Sequence, residues 1–367
     1  MRAIPVSLPG RDRSYQIILE AGGRRRLGDY LAQVLPGRRL WLVSDTLVAK
    51  LYGRELLARL QEQGWPAQLL TVARGERSKS WPVAARLFQQ MLAQGADRSS
   101  ALAALGGGVV GDLTGFVAAL FMRGIPVVQV PTTLLAMVDA SIGGKTAINL
   151  PAGKNLVGAF HQPSLVLIDP EFLLTLPARE RRQGLAEVVK AGFIRDQGLL
   201  ELLAGPGQRL FGDRRLTDRD LLLEIIGRAA AIKAAVVAAD EREGDLRRIL
   251  NFGHTLGHAL EKAARFRLPH GEAVAVGMAA ALDLSVALTG LPAAAAREGK
   301  ELLTALGLPT QPPPLPAGEV LSALAVDKKK QGQSLVFVLL RQLGEAVVQP
   351  EVPVSLVAEW LANNRGN

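Results

Sequence analysis

The chain has 367 residues, 49% hydrophobic and 21% charged, with a net charge of +9, four histidines and no cysteine. That length and apolar content allow two buried cores and exclude a disordered chain, and the missing cysteines exclude a disulfide framework and any thiolate metal site. Only 5% of residues are aromatic and the basic ones stand in short, scattered groups (Arg24–Arg26, Arg181–Arg182, Lys328–Lys330), so the charge points to an anionic small molecule or a solvated surface rather than to nucleic acid.

The N-terminal stretch MRAIPVSLPGRDR is broken by Pro5 and Pro9 and lacks the charged-then-apolar pattern of a secretory leader. Next come LWLVSD (Leu40 to Asp45), a short apolar run ending in an acid, and a helical pattern through Leu60. AQLLTVA reads as a strand, Val83 to Ala93 as a helix, ALAALGGG as a buried strand entering a glycine turn, and Val110 to Phe121 as a helix. PVVQV and LVLID are further buried strands. Strands alternating with helices predict a parallel sheet covered on both faces, an α/β Rossmann-like domain spanning 1–172. The apolar, uncharged run Gly124 to Val138 carries two prolines and two threonines and is too short to span a bilayer. A cytoplasmic protein without a membrane partner is expected.

Beyond Phe172 helical spacing dominates: Gln183 to Ile194, Thr217 to Ala239, Ile249 to Ala264, Glu272 to Leu288 and Ala293 to Leu306. PTQPPPLPAG reads as a proline-rich connection and SLVFVLL as a late strand, one arm of a hairpin. The expectation for 173–367 is a mainly α-helical domain, with the active site in the cleft between the two.

Three stretches carry chemistry. GGGVVGD (Gly106 to Asp112) satisfies G-x-G-x-x-G, a turn that brings backbone N–H groups and a helix N-terminus to a pyrophosphate. It departs from the usual dinucleotide fingerprint: it is not in the first βα unit, and no acid stands about twenty residues later. Asp45, ending an early strand, suits either an adenosine ribose or a helix N-cap, and GERSK (Gly75 to Lys79) either a nucleotide contact or a surface turn. The stretch DASIGGKTAINLPAGKNLVGAF sets Asp139, Lys145, Asn149, Lys154 and Asn155 in a glycine-rich, loop-like context suited to phosphate or carboxylate, with Arg123, Lys233 and Arg247 adding charge. Finally, NFGHTLGHALE puts His254 and His258 on one helix face, and His270 follows in LPHGEA. With Glu187 of GLAEVVKAG these form a candidate metal set, but spacing alone leaves open which histidines are ligands.

Taken in order, GGGVVGDLTGF, FMRGIPVVQVPTTLLAMVDASIGGKTAIN, GKNLVGAFHQP, GLAEVVK, NFGHTLGHALE and HGEAVAVGM closely resemble the 3-dehydroquinate synthase family over roughly residues 70 to 280, with weaker support from DKK at Asp327. The resemblance implies the metal ligands Glu187, His254 and His270. It implies substrate contacts at Arg123, Asp139, Lys145, Lys154, Asn155, Lys190, Lys233, Arg247, Asn251 and His258, with Lys328 in uncertain register. NAD contacts would be Asp45, Glu76, Lys79, Gly107, Gly108, Asp112, Thr132 and Thr133. One departure is Ala191, where many members carry an aromatic residue.

The implied reaction is that of a phosphate-eliminating carbon–oxygen lyase of the shikimate pathway. It uses NAD⁺ and one divalent metal, Zn²⁺ or Co²⁺, on a seven-carbon sugar acid phosphate, through transient oxidation, elimination, re-reduction, ring opening and aldol closure. A homodimer is also implied, and His258 is expected to assist proton transfer. Another sugar phosphate cyclase, of inosose or valiolone type, is the nearest rival; Asn155, Asn251 and His258 favour the first reading. A metal-dependent polyol dehydrogenase would not need the GGK and GKN lysines.

Overall fold

The computed structural model describes residues 1–6, 14–213, 215–331 and 335–364. The chain forms two compact units, Met1–Leu176 with Lys233–Arg242, and Pro177–Ile232 with Glu243–Asn367.

The first unit is built on a seven-stranded sheet. Its strands are β1 (Arg2–Val6), β2 (Tyr15–Leu19), β3 (Arg39–Asp45), β4 (Ala67–Val72), β5 (Ser100–Gly106), β6 (Val127–Pro131) and β9 (Leu165–Ile168), in the spatial order β1-β2-β9-β6-β5-β3-β4. All neighbours run parallel except β1, which pairs antiparallel with β2 at one edge. The central strands are near-continuous apolar runs because both faces are covered: all seven residues of β5 are buried. Trp41, Leu102, Met91 and Phe116 belong to the core that the helices Trp81–Ala93 and Gly108–Leu120 share with the sheet. From β3 the chain steps outward to β4, then returns to the other side of β3 as β5. The carboxyl ends of β3 and β5 therefore flank a topological switch point, where open α/β sheets bind ligands.

The stretch after Asp139 differs from its loop-like reading. Residues Lys145–Leu150 (β7) and Gly153–Phe160 (β8) form a separate two-stranded antiparallel sheet. In β7 the buried Thr146 and Ile148 alternate with Lys145, Ala147 and Asn149, a period of two that the surrounding glycines disguise.

The second unit is mainly helical: Ala178–Arg195, His254–Ala263, His270–Leu288, Ala293–Ala305, Ala317–Gln331 and Val354–Asn363, with most of Arg219–Ala239. The late strand is Phe337–Gln342 (β10), paired with Glu345–Gln349 (β11) as a hairpin. His270–Leu288 is long and apolar enough to cross a membrane, but 72% of its apolar window is buried, as in a core helix. Lys328 falls in Ala317–Gln331; its side chain lies outside the described ones.

Candidate functional site

In the second unit three helices meet almost backbone to backbone. A Cβ on Gly277 would sit 1.8 Å from the carbonyl oxygen of Gly253, and one on Gly271 would sit 2.5 Å from that of Gln183. Gly253 caps His254–Ala263 with φ 77°, a left-handed conformation in which glycine carries no Cβ penalty. Gln183 Oε1 accepts the Gly271 N–H at 2.6 Å, tying the start of His270–Leu288 to Ala178–Arg195. The first residues of two helices, His254 and His270, are thereby brought to Glu187 in the middle of the third.

His254 Nε2 and His270 Nε2 lie 3.7 and 3.6 Å from the same oxygen, Glu187 Oε1. One ligand atom from each of the three side chains lies within 4.8 Å of the others. The opposite ring nitrogens are engaged elsewhere: His254 Nδ1–H donates to the Phe252 carbonyl at 3.2 Å, and His270 Nδ1 lies 3.3 Å from Glu261 Oε2. Lys190, one turn after Glu187, contacts Glu187 Oε2.

Burial works to raise the Glu187 pKa, but Lys190, then His254 and His270, outweigh it and hold the carboxyl well below its usual range. Burial, aided by Lys190, keeps His254 far below the ordinary histidine value, hence neutral. For His270 burial also acts downward, but Glu187 and Glu261 prevail and push it up to about 10. Both Glu187 oxygens are buried, Oε2 against the Lys190 ammonium and Oε1 facing Nε2 of both imidazoles. Two imidazoles and a carboxylate with ligand atoms converging within 4.8 Å fit a divalent cation.

His258 is exposed one turn further on, edge-to-face with His254 at 5.2 Å between centroids and roughly parallel to His270 at 6.1 Å. A second set of ligand atoms, from His258, Glu261 and His270, also lies within 4.8 Å. Asn251 donates to Glu243 Oε1 at 3.3 Å, and Arg247, four residues earlier, is fully buried. His161, outside the cluster, donates to the Ile125 carbonyl at 2.9 Å.

In the first unit the turn after β5 opens the helix Gly108–Leu120. A Cβ on Gly107 would meet Thr133 Cγ2 at 3.0 Å; Thr132 N–H donates to the Gly106 carbonyl and Thr133 Oγ1 accepts from Ala136 N–H. This bare turn at a helix N-terminus fits a pyrophosphate. Lys79, 5% exposed, reaches both Asp112 and Asn155. Burial pushes the Asp112 carboxyl up to about 6, against the opposing pull of Lys79. Asn149 joins further members: its Nδ2 donates to Glu76 at 2.7 Å, and its Oδ1 accepts from the Asn155 N–H at 2.9 Å. Asp45 is an N-cap, its Oδ1 accepting from Leu47 and Val48 N–H.

Asp139 accepts from Lys233 at 2.5 Å. Lys145 and Lys154 are exposed on the two-stranded sheet. Arg123 is exposed too, and follows Met122 with both residues at positive φ (49° and 68°), strained backbone in the turn after a helix.

Two residues escaped assignment from sequence. Asn149 stood in the quoted lysine-rich stretch, and Glu261 ends the histidine motif. Glu261 is seven residues after His254 and three after His258, so helical spacing already put it on their face.

Residues 69–183 match the family profile "3-dehydroquinate synthase N-terminal" and 184–330 match "3-dehydroquinate synthase C-terminal". A 3-dehydroquinate synthase from Synechococcus sp. is 46% identical over 364 residues, covering 98% of this chain and 97% of its own. Among solved structures, a 2-epi-5-epi-valiolone synthase from Streptomyces hygroscopicus subsp. jinggangensis, with NAD⁺ and Zn²⁺ bound, superposes with TM-score 0.87 at 33% identity, over 98% of this chain and 99% of that one. A 2-deoxy-scyllo-inosose synthase, complexed with carbaglucose-6-phosphate, NAD⁺ and Co²⁺, gives TM-score 0.88 at 25% identity, over 99% and 100%. The chain belongs to the 3-dehydroquinate synthase family.

Proposed function

We infer that the protein converts 3-deoxy-D-arabino-heptulosonate 7-phosphate to 3-dehydroquinate and phosphate, a lyase step of the shikimate pathway. The observation that carries this reading is the buried Glu187–His254–His270 set, present in a chain 46% identical to a 3-dehydroquinate synthase. When bound, NAD⁺ supplies reversible hydride acceptance and the metal supplies Lewis acidity toward a substrate oxygen. Glu187, His254 and His270 hold the metal; with two imidazoles and one carboxylate as donors, Zn²⁺ is the first choice and Co²⁺ an active substitute. Residues 1–172 form the NAD-binding part, through Asp45, Glu76, Lys79, Gly107, Gly108, Asp112, Thr132 and Thr133, and 173–367 the metal-binding part.

The remaining residues bind and move protons. Arg123, Lys145, Lys154, Lys190, Lys233 and Arg247 are the cations for the substrate's phosphate and carboxylate. Asp139 orients Lys233 through their ion pair, and Asn155 and Asn251 are substrate hydrogen-bonding groups. His258, exposed and one turn from His254, takes a substrate proton at a ring nitrogen. We further propose a cytoplasmic homodimer.

The test is phosphate release from 3-deoxy-D-arabino-heptulosonate 7-phosphate. Activity should vanish with a chelator and return with Zn²⁺ or Co²⁺; no release with metal and NAD⁺ supplied would falsify the assignment. The valiolone- and inosose-type rivals, kept by the two structural neighbours, use different sugar phosphates and are tested by substituting those. Light scattering on the eluting protein tests the dimer.

A further inference from the structure

We propose that Glu261 is a positioning residue for His270: it accepts a hydrogen bond from Nδ1–H, and so directs Nε2 to the side of Glu187 where the metal would be held. The proposal rests on the reading of Glu187, His254 and His270 as metal ligands.

An imidazole that coordinates through one nitrogen keeps its proton on the other, and the partner of that proton sets both tautomer and ring orientation. The two histidines here solve this differently. His254 is oriented by a backbone carbonyl, Phe252, two residues back. His270 begins its helix after Pro269, and its Nδ1 faces a side chain from another helix, Glu261 Oε2 at 3.3 Å. On the far side of the same ring, Nε2 is 3.6 Å from Glu187 Oε1. The ring thus stands between two carboxylates. Glu187 is 2% exposed and Glu261 6%, so water does not readily replace either. Substitution leaves the His254 acceptor intact, whereas Glu261 is removable by one change. The carboxylate also makes the imidazole more basic and a stronger donor to a cation.

The competing use of the same group is direct ligation, because His258, Glu261 and His270 also bring ligand atoms within 4.8 Å. The experiment separates the two. Zn²⁺ affinity is measured by competition with a chromophoric chelator for wild type, Glu261→Ala, Glu261→Gln and His270→Ala, each verified folded by circular dichroism. Positioning predicts that Glu261→Ala binds about 10- to 100-fold more weakly, while Glu261→Gln, which keeps an acceptor oxygen in place, stays close to wild type. At saturating Co²⁺ the visible spectrum of Glu261→Ala should match wild type, because no ligand has been lost.

Unchanged affinity in Glu261→Ala, with His270→Ala weakened, overturns the proposal and leaves the metal site standing. Unchanged affinity in His270→Ala overturns the metal reading itself, and the proposal with it. A Co²⁺ spectrum altered at saturation in Glu261→Ala makes Glu261 a ligand and also overturns it. Equal weakening in Glu261→Gln and Glu261→Ala rejects hydrogen-bond acceptance as the cause.

Discussion

Lys190 contacts the Glu187 carboxylate from one turn along the same helix, with only 4% and 1% of the two side chains exposed. An ammonium thus sits against the carboxylate that a divalent cation would use. Removing one partner of a buried pair costs up to about 3–5 kcal/mol, and His270, 3.6 Å from Oε1, offsets only part of the charge that Lys190 balances. Lys190→Met should therefore lower the thermal midpoint strongly in chelator-treated protein. With saturating Zn²⁺ the loss should be much smaller, because the ion takes over the compensating charge. Equal losses in the two states would show that Lys190 does not share Glu187 with a metal.

The close backbone approach that assembles the site is testable at one glycine. A Cβ on Gly277 would meet the Gly253 carbonyl oxygen at 1.8 Å, a contact that no side-chain rotation relieves. Gly277→Ala should destabilise by about 1–3 kcal/mol or more through overpacking. It should also weaken Zn²⁺ binding, since the shift falls on the residue that caps His254. Gly318→Ala is the control: a Cβ there meets nothing within 4 Å, and alanine is the better helix former. If urea midpoints and metal affinity are as little changed by Gly277→Ala as by Gly318→Ala, the packing argument fails.

Much of this arrangement is legible in the sequence. The strands β3, β5, β6 and β9 stood out as apolar runs because a parallel sheet buries both faces. The hairpin β7–β8 did not, because every residue of β8 is exposed or half-buried, so no buried apolar stripe marks it. At the candidate metal centre, helical spacing places His254 and His258 on one face but leaves open which is a ligand. Glu187 and His270 come from other helices, and the glycine contacts that bring them together obey no local period; the family motifs supplied that step. Spacing also carried Glu261, which went unassigned because a glutamate ending an amphipathic helix looks like an ordinary surface acid. Its 6% exposure is a tertiary fact.

Asn149 bridges a residue assigned to the cofactor and one assigned to the substrate, Glu76 and Asn155. Asn155 stands at φ 56°, a left-handed conformation that a non-glycine residue holds at some cost. Asn149→Ala removes both hydrogen bonds, each worth about 1 kcal/mol, and releases Asn155 from its acceptor. The apparent KM for substrate should rise by roughly tenfold, with Zn²⁺ affinity unchanged because the proposed metal ligands belong to the other unit. Steady-state kinetics with a parallel metal titration decides it, and an unchanged KM would count against the bridge.

Asp112 links the glycine turn to pH. Burial raises its carboxyl from 3.8 to about 6 in the folded protein, despite Lys79. Between these values the folded protein holds a proton that the unfolded chain has released, so stability declines as pH rises through this window. The cost is absent below about pH 4, grows to at most about 3 kcal/mol near pH 6, and stays constant above it. Asp112→Asn cannot titrate. Loss of the Lys79 ion pair offsets its stability by a constant wherever the carboxylate is absent. The wild-type-minus-variant difference, from urea midpoints of NAD-free protein at pH steps between 4 and 7, should therefore fall toward pH 6 and then level. A difference that stays flat across the window would mean that Lys79 fully compensates the burial of Asp112, and one that rises with pH would mean that Lys79 outweighs it and lowers the carboxyl; either outcome overturns the reading.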